Sequence, residues 1–410
     1  MAITLISSPT LGVAQAANGE KDKMIFKFSS DDANIKSCIV EVLIDGVRVS
    51  ALNVQPDLGT TDEFTVVLNE IVKNNLDFKL YTSVLSTYDT NDTGQKDYNI
   101  KVYEVVDNSG LLETNYDPDD ANNSNYDYTR TTDAIAFNAT FNAIQQNNFT
   151  VYDYQLDAND KKFLNDTPSV KNIELGQSEY LGALWYDGTA SQNFKVEILT
   201  YNSSDALLNT DYINITDWNT GYTGLNFDFY YITIPVGTSN LIAASVSLTN
   251  VAYYTIRIVN DGGDVSELKR FNIVDSCEQD VRIHWQNKYG KRDSYTFKGN
   301  KKESLKHSSS TFTKAKNETY SVDDRGVSVI QNISNSNFTA YSKTIGREEY
   351  HWLSDMLINK RAWVEIDGDY LPIVIEDGTF FKTDERNMPI QFVLEYSFAN
   401  ATKGLKGWMK

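Results

Sequence analysis

The stretch CIVEVLIDGVRVSALNV, Cys38 to Val54, is two β-rich runs placed around Asp45-Gly46. A type I′ turn needs positive φ at both central residues, and Asp-Gly is one of the few dipeptides that supply it, so the stretch reads as an antiparallel hairpin. The same grammar returns in WVEIDGDYLPIVIEDGTFF, Trp363 to Phe381, with Asp367-Gly368 and Asp377-Gly378. It returns again in YYTIRIVNDGGDVSELKRFNIV, Tyr253 to Val274, with a longer glycine-rich turn. The expected fold class is mainly β: two or three antiparallel β-sandwich-like domains in tandem, with one amphipathic helix in the C-terminal domain.

Helical periodicity is strongest in TIGREEYHWLSDMLINKR. There Tyr350, Leu353, Met356, Leu357 and Lys360 share a face after a candidate Thr344 cap, which predicts a helix near 345–360. Leu68 to Leu76 predicts a shorter one, and FNATFNAIQQNNF fits either period. Residues 107–133 have few aliphatics and many turn formers, which predicts a polar acidic loop or linker. The expected organisation is an N-terminal β domain over 1–106, that linker, a central β domain over 134–275 and a C-terminal β domain over 276–410.

With 410 residues the chain can bury several cores without staples, and its two cysteines, Cys38 and Cys277, define no metal spacing. They are expected as reduced thiols. Ala14-Gln15-Ala16 resembles a signal-cleavage site, but no Lys or Arg precedes it and Ser7-Ser8-Pro9 interrupts the apolar run, so secretion is not expected. No stretch offers the ~18 apolar residues of a bilayer span.

The net charge of −19 is unevenly divided. Residues 1–270 carry 17 basic and 37 acidic side chains, whereas residues 271–410 carry 20 and 19. Ten of those cations lie between Arg282 and Lys316. An acidic body repels phosphate at long range, so direct nucleic-acid binding is not expected, and the basic segment suits a complementary protein surface.

Motifs for chemistry are sparse. Of three histidines, His307 lies in a polar run, His351 beside a helical apolar stripe, and His284 in HWQNKYGKRDSYTFKG, His284 to Gly299, with no nucleophile and orienting group nearby. Asp89 to Gly94 begins like an EF-hand loop, but Ile100 stands where a bidentate Glu is needed. Asp117 to Asp127 is rich in oxygen ligands without fixed spacing, so at most an incidental Ca2+ is expected at either. Trp185 reads as a strand anchor. No catalytic, cofactor or metal residues are assigned, and the chain is not expected to be an enzyme.

The His284 stretch reads as a hairpin. Strand alternation places Val281, Ile283 and Trp285 on one face and Arg282, His284 and Gln286 on the other, with Asn287 to Asp293 turning back to Tyr295 and Phe297. The aromatics are then core, and the cations an outer polar face. Lys288, Tyr289, Lys291, Arg292, Lys298, Lys301 and Lys302 are the candidate assembly contacts.

Three stretches carry a family resemblance. KKFLNDTPSVKNIELGQSEYLGAL, Lys161 to Leu184, resembles a segment of structural proteins from tailed bacteriophages and prophages of Bacteroidetes, in which a Phe-Leu-Thr-x-x-Pro-like run precedes a Tyr-Leu strand; Asn165 replaces the Thr. Trp285, Asn287, Gly290, Asp293, Tyr295 and Phe297 match that family's Trp-Leu-Asn-x-x-Gly-Gly-x-Asp-x-Phe-x-Phe hairpin, with Gln286 and Lys291 departing from it. Glu348 to Asn400 is similar to its C-terminal signature. The resemblance implies a tail or neck component, including those of crAss-like phages, made in the host cytoplasm and placed in the virion. The expected function is a tail hub or tail-tube-associated subunit, in a ring of copies of itself and touching other tail or neck proteins, with no cofactor. The alternative is a tail-fibre or adhesin-type glycan- or receptor-binding module; a cell-wall or capsule depolymerase comes third.

Overall fold

A computed structural model describes residues 3–7, 14–15, 24–89, 94–120, 124–129, 134–140, 153–156, 160–186, 194–215, 229–276, 280–313, 327–358, 361–377, 379–382 and 390–399. These residues are mainly strands in antiparallel sheets. They divide into two units: Met1–Val274 with Gln286–Asp293, and Asp275–Trp285 with Ser294–Lys410.

The first unit holds two cores. In one, Ile25–Ser30 lies between Ile3–Ser7 and Glu63–Val67, and its alternate residues Phe26 and Phe28 point inward. They pack with Val40, Val42, Ile100 and Val102 of a second sheet, in which Ile35–Ile44 pairs with both Val47–Val54 and Gln95–Asn108. Asp45 and Gly46 have φ of 51° and 76°, so the hairpin that decides the fold class forms as its turn chemistry dictates.

Residues 107–133, expected as a polar acidic loop or linker, include two short strands beside stretches without regular structure. The long strand Gln95–Asn108 turns through Ser109 (φ 59°) and Gly110 (φ 92°) and returns as Leu111–Thr114. Asp107 Oδ1 accepts the Gly110 N–H at 2.7 Å, which closes this turn. Tyr128–Thr129 and Ala134–Phe137 then pair further back along the same long strand. The segment is thus an excursion from one sheet. Low aliphatic content does not reveal the strand Leu111–Thr114, because a strand at a sheet edge needs few buried residues.

The second core is built from Tyr180–Tyr186 paired with Phe229–Pro235, and from a sheet in which Lys195–Tyr201 lies between Leu207–Asn214 and Tyr253–Asn260. Val170–Glu174 joins that sheet parallel to Lys269–Val274. Phe163, Leu181, Phe194, Ile232, Tyr254 and Phe271 fill the space between the sheets.

In the second unit, one eight-stranded sheet runs from Arg292–Phe297 to Lys301–Thr313. The helix Arg347–Ile358 buries Trp352, Leu353 and Met356 against it, with the Trp352 and Trp285 rings 5.3 Å apart. Thr344 is not its cap. It lies in the strand Val327–Ile345, and the Gly346 N–H instead donates to Glu349 Oε2, the reach-back half of a capping box. Lys360 lies outside the described residues, as do Cys277, residues 141–149 of FNATFNAIQQNNF, and most of the Asp89–Gly94 loop.

One carboxylate in the first sandwich is poorly served. Glu104 is 4% exposed; its Oε1 accepts from Ser30 Oγ, while its Oε2 is buried without a hydrogen bond among the described residues. Burial, followed by the charges of Asp127, Asp32 and Asp31, raises its pKa. The folded state therefore holds this proton at pH values where the unfolded chain has released it, and stability falls as pH rises through that window. Glu104→Gln is expected to flatten this dependence and to raise the melting temperature above pH 7 relative to the parent, read by thermal unfolding between pH 5 and 8.

Candidate functional site

The hairpin that carries the candidate contacts is strand Val281–Gln286, a tight loop, and strand Arg292–Phe297. Asn287 builds the loop. Its Oδ1 accepts the N–H groups of both Tyr289 (3.0 Å) and Lys291 (2.9 Å), and its backbone N–H donates to Lys291 O at 2.7 Å. Gly290 takes the left-handed conformation at φ 77° that such a loop demands. Its side-chain hydrogen also matters here, since a Cβ at this position would stand 2.1 Å from Asn138 O.

The tip is buried within the first unit. Lys291 is 6% exposed; its Nζ donates to Tyr231 O (3.2 Å) and Thr233 Oγ1 (3.0 Å) and stands 3.4 Å from the centre of the Tyr231 ring. Arg292, 2% exposed, donates to Tyr81 O at 2.8 Å and faces the Tyr180 ring at 5.0 Å. Lys288 pairs with Asp166. Tyr289 donates to Asp166 Oδ1 at 2.9 Å, so in the 2.8 Å contact between the Tyr154 and Tyr289 hydroxyls it is Tyr154 that donates. Burial, then Asp166, raises the Tyr289 pKa, and burial pushes Tyr154 up to about 12. Both phenols stay protonated donors throughout the neutral range.

Two of the sequence stretches that carry the resemblance meet here. Asn287 Nδ2 donates to Leu164 O (3.0 Å), the Gly182 N–H donates to Asn165 Oδ1 (2.5 Å), and Asn165 Nδ2 reaches Asp293. Asn165, the departure from the usual Thr, thus ties the Tyr180–Tyr186 strand to the loop with an amide that both donates and accepts.

Four of the seven candidate contacts, Lys288, Tyr289, Lys291 and Arg292, are therefore not a polar outer face. The expected exposure is corrected by what covers them: backbone carbonyls, a hydroxyl, aromatic faces and Asp166. Within the second unit the supposed outer residues of the first strand are buried too. Arg282 donates to Ser294 Oγ and Thr296 Oγ1, and His284 Nε2 meets Glu365 Oε2 at 2.9 Å beside the Tyr370 ring. Alternation assigns residues to two faces; it does not say that only one is covered. Lys298 donates to Asp275 O at 2.6 Å, while Lys301 and Lys302 remain exposed, Lys302 over the Tyr341 ring.

A small cavity beside the tip, lined by Tyr81, Gly94, Tyr231, Thr233, Lys291 and Arg292 among others, has about 20 Å³ of space, the room of roughly one water molecule. That is too small for a sugar ring. Among the described residues no three His, Cys, Asp or Glu side chains gather as metal ligands would.

No family profile matches this chain, and no curated protein matches it. Among solved structures it is similar to a tri-modular endo-β-1,4-glucanase from Bacillus licheniformis complexed with cellotetraose, at 6% identity and a TM-score of 0.15, over 67% of this chain and 39% of that one. The chain thus spans about two fifths of the length of the glucanase it matches. It is also similar to the fibronectin(III)-like modules of Clostridium thermocellum CbhA, at 10% identity and a TM-score of 0.14, over 66% of this chain and 92% of that one. Superpositions this loose establish no shared overall fold.

Two expectations follow for the tip. Lys291→Glu places a carboxylate against a carbonyl and is expected to lose about 3–5 kcal/mol of unfolding free energy, whereas Lys291→Met, which keeps the stem, loses about 1–3 kcal/mol. Chemical denaturation distinguishes them. Gly290→Ala should be far more damaging than Gly46→Ala, because both have positive φ but only Gly290 is enclosed; a Cβ on Gly46 meets nothing within 4 Å. Gly46→Ala is expected to cost about 1–2 kcal/mol in the same assay.

Proposed function

We propose that this chain is a virion structural protein of a tailed phage, a tail hub or tail-tube-associated subunit that assembles with copies of itself and with other tail or neck proteins. The phage assignment is supported by the sequence resemblance at Lys161–Leu184, Trp285–Phe297 and Glu348–Asn400. The observation that carries assembly is the character of the sheet edges. Among the described residues Val47–Val54, Leu111–Thr114 and Leu207–Asn214 are edge strands. Each leaves large apolar side chains in solvent: Val47 and Val49, Leu111 and Leu112, Leu207 and Leu208.

Edges of soluble proteins are ordinarily blunted by Lys, Pro or a covering loop, because unpaired N–H and C=O groups beside apolar side chains invite another strand. A chain that keeps three apolar edges has a use for them when neighbouring subunits cover the edges. The exposed cations then act at the rim of such contacts, steering and selecting partners.

Native mass spectrometry of the purified full chain over a concentration series, followed by imaging, is expected to show a closed oligomer of defined order. A monomer at every concentration, together with saturable binding of a glycan, would replace this reading with the receptor-binding module.

A further inference from the structure

Among the described residues the strand Lys301–Thr313 ends the sheet of the second unit, and it pairs along its whole length with Val327–Ile345. The next strand of that sheet, Ile390–Phe398, reaches only from Ile345 to Asn337. Beyond Asn337 the two long strands continue as a ribbon of two, Leu305–Thr313 against Val327–Ser336. A ribbon of two strands is marginal in water without a third partner. This one exposes Phe312, Val327, Val329 and Ile330. Thr313 faces Val327 and Thr311 faces Val329, while Phe312 faces Ser328, so apolar side chains emerge on both faces.

Resting on the assembly reading above, we propose that the outer edge of Lys301–Thr313 adds as a strand to the edge strand Leu207–Asn214 of a second copy. Three observations select that occupant. The ribbon strand carries Lys301, Lys302 and Lys306 against Glu303 alone, so two such strands repel each other and require an acidic partner. The edge Leu207–Asn214 supplies one: it contains Asp211 and no cation, it belongs to the acidic part of the chain, and it exposes Leu207, Leu208 and Tyr212. The size is of the right order, because the ribbon offers 9 residues from one strand and 10 from the other, and a stable interface uses roughly 20–30 residues a side. Because the two edges differ, the contact is heterologous, the kind that closes into a ring when the rotation permits.

A charge swap tests it. Lys302→Glu and Asp211→Lys, each on an exposed or half-exposed strand position, are made singly and together in the full chain, with circular dichroism as the folding control and native mass spectrometry as the readout. Each single variant is expected to raise the concentration needed for assembly roughly tenfold, and the double variant to restore it. If the parent assembles and the single variants assemble equally well, the strand pairing is overturned while the assembly reading stands. Single variants that weaken assembly without rescue in the double also overturn it, since each strand then meets something else. A parent that stays monomeric overturns both.

Discussion

The structure depends on satisfying the buried cations at the tip of one hairpin. Lys291 and Arg292 are almost wholly out of water, and their charges are held by Tyr231 O, Thr233 Oγ1, Tyr81 O and two tyrosine rings. A buried charge is tolerable only when each polar hydrogen finds an acceptor, and backbone carbonyls are acceptors whose positions the sheet has already fixed. The loop can insert only because Asn287 folds it on itself and Gly290 leaves no Cβ to strike Asn138. Chain topology follows from the same fact. The chain enters the second unit at Asp275, gives Gln286–Asp293 to the first, and resumes the second at Ser294. The two units cannot be severed at one peptide bond.

Local turn chemistry was legible in the sequence. Asp45-Gly46 and Asp367-Gly368 take positive φ at both positions, and the hairpins around them form. The helix was legible, its buried face only in part: Leu353 and Met356 of the expected stripe are buried and Tyr350 is half-buried, whereas Leu357 is exposed and Trp352, beside the stripe, is buried. Two things were hidden, for different reasons. The edge strand Leu111–Thr114 carries little burial, so composition hid it while the Ser109-Gly110 turn announced it. The tip was hidden because charge was equated with exposure. No local pattern distinguishes a lysine that meets water from one that meets a carbonyl across the fold; the acceptors on Tyr81, Tyr231 and Thr233 are separated from it by 50 or more positions. The one available hint was the density of hydrogen-bonding residues at Asn287, Asp293 and Asn165, more than a solvated turn needs.

Relocating those cations changes what the charge division means. Lys291 and Arg292 belong to the interior of an acidic unit and the half-buried Lys288 is paired with Asp166, so the surface share of the basic segment shifts toward Lys301 and Lys302. On the strand pairing proposed above, charge concentrated on one edge strand acts on whatever lies along that strand and selects by sign before contact is made.

Polar and apolar groups are thus distributed against their usual positions, and the two departures support one another. Cations and tyrosine hydroxyls inside the first unit fix a single arrangement, because each has directional partners that a sliding or repacked core would lose. Valine and leucine are exposed on sheet edges, which on the proposed assembly would exchange solubility of the isolated chain for non-directional attraction between subunits. Rigidity makes that exchange workable. On the assembly proposed above, an apolar edge on a pliable unit would pair promiscuously, whereas an edge on a rigid one presents a fixed register that only a complementary edge can match.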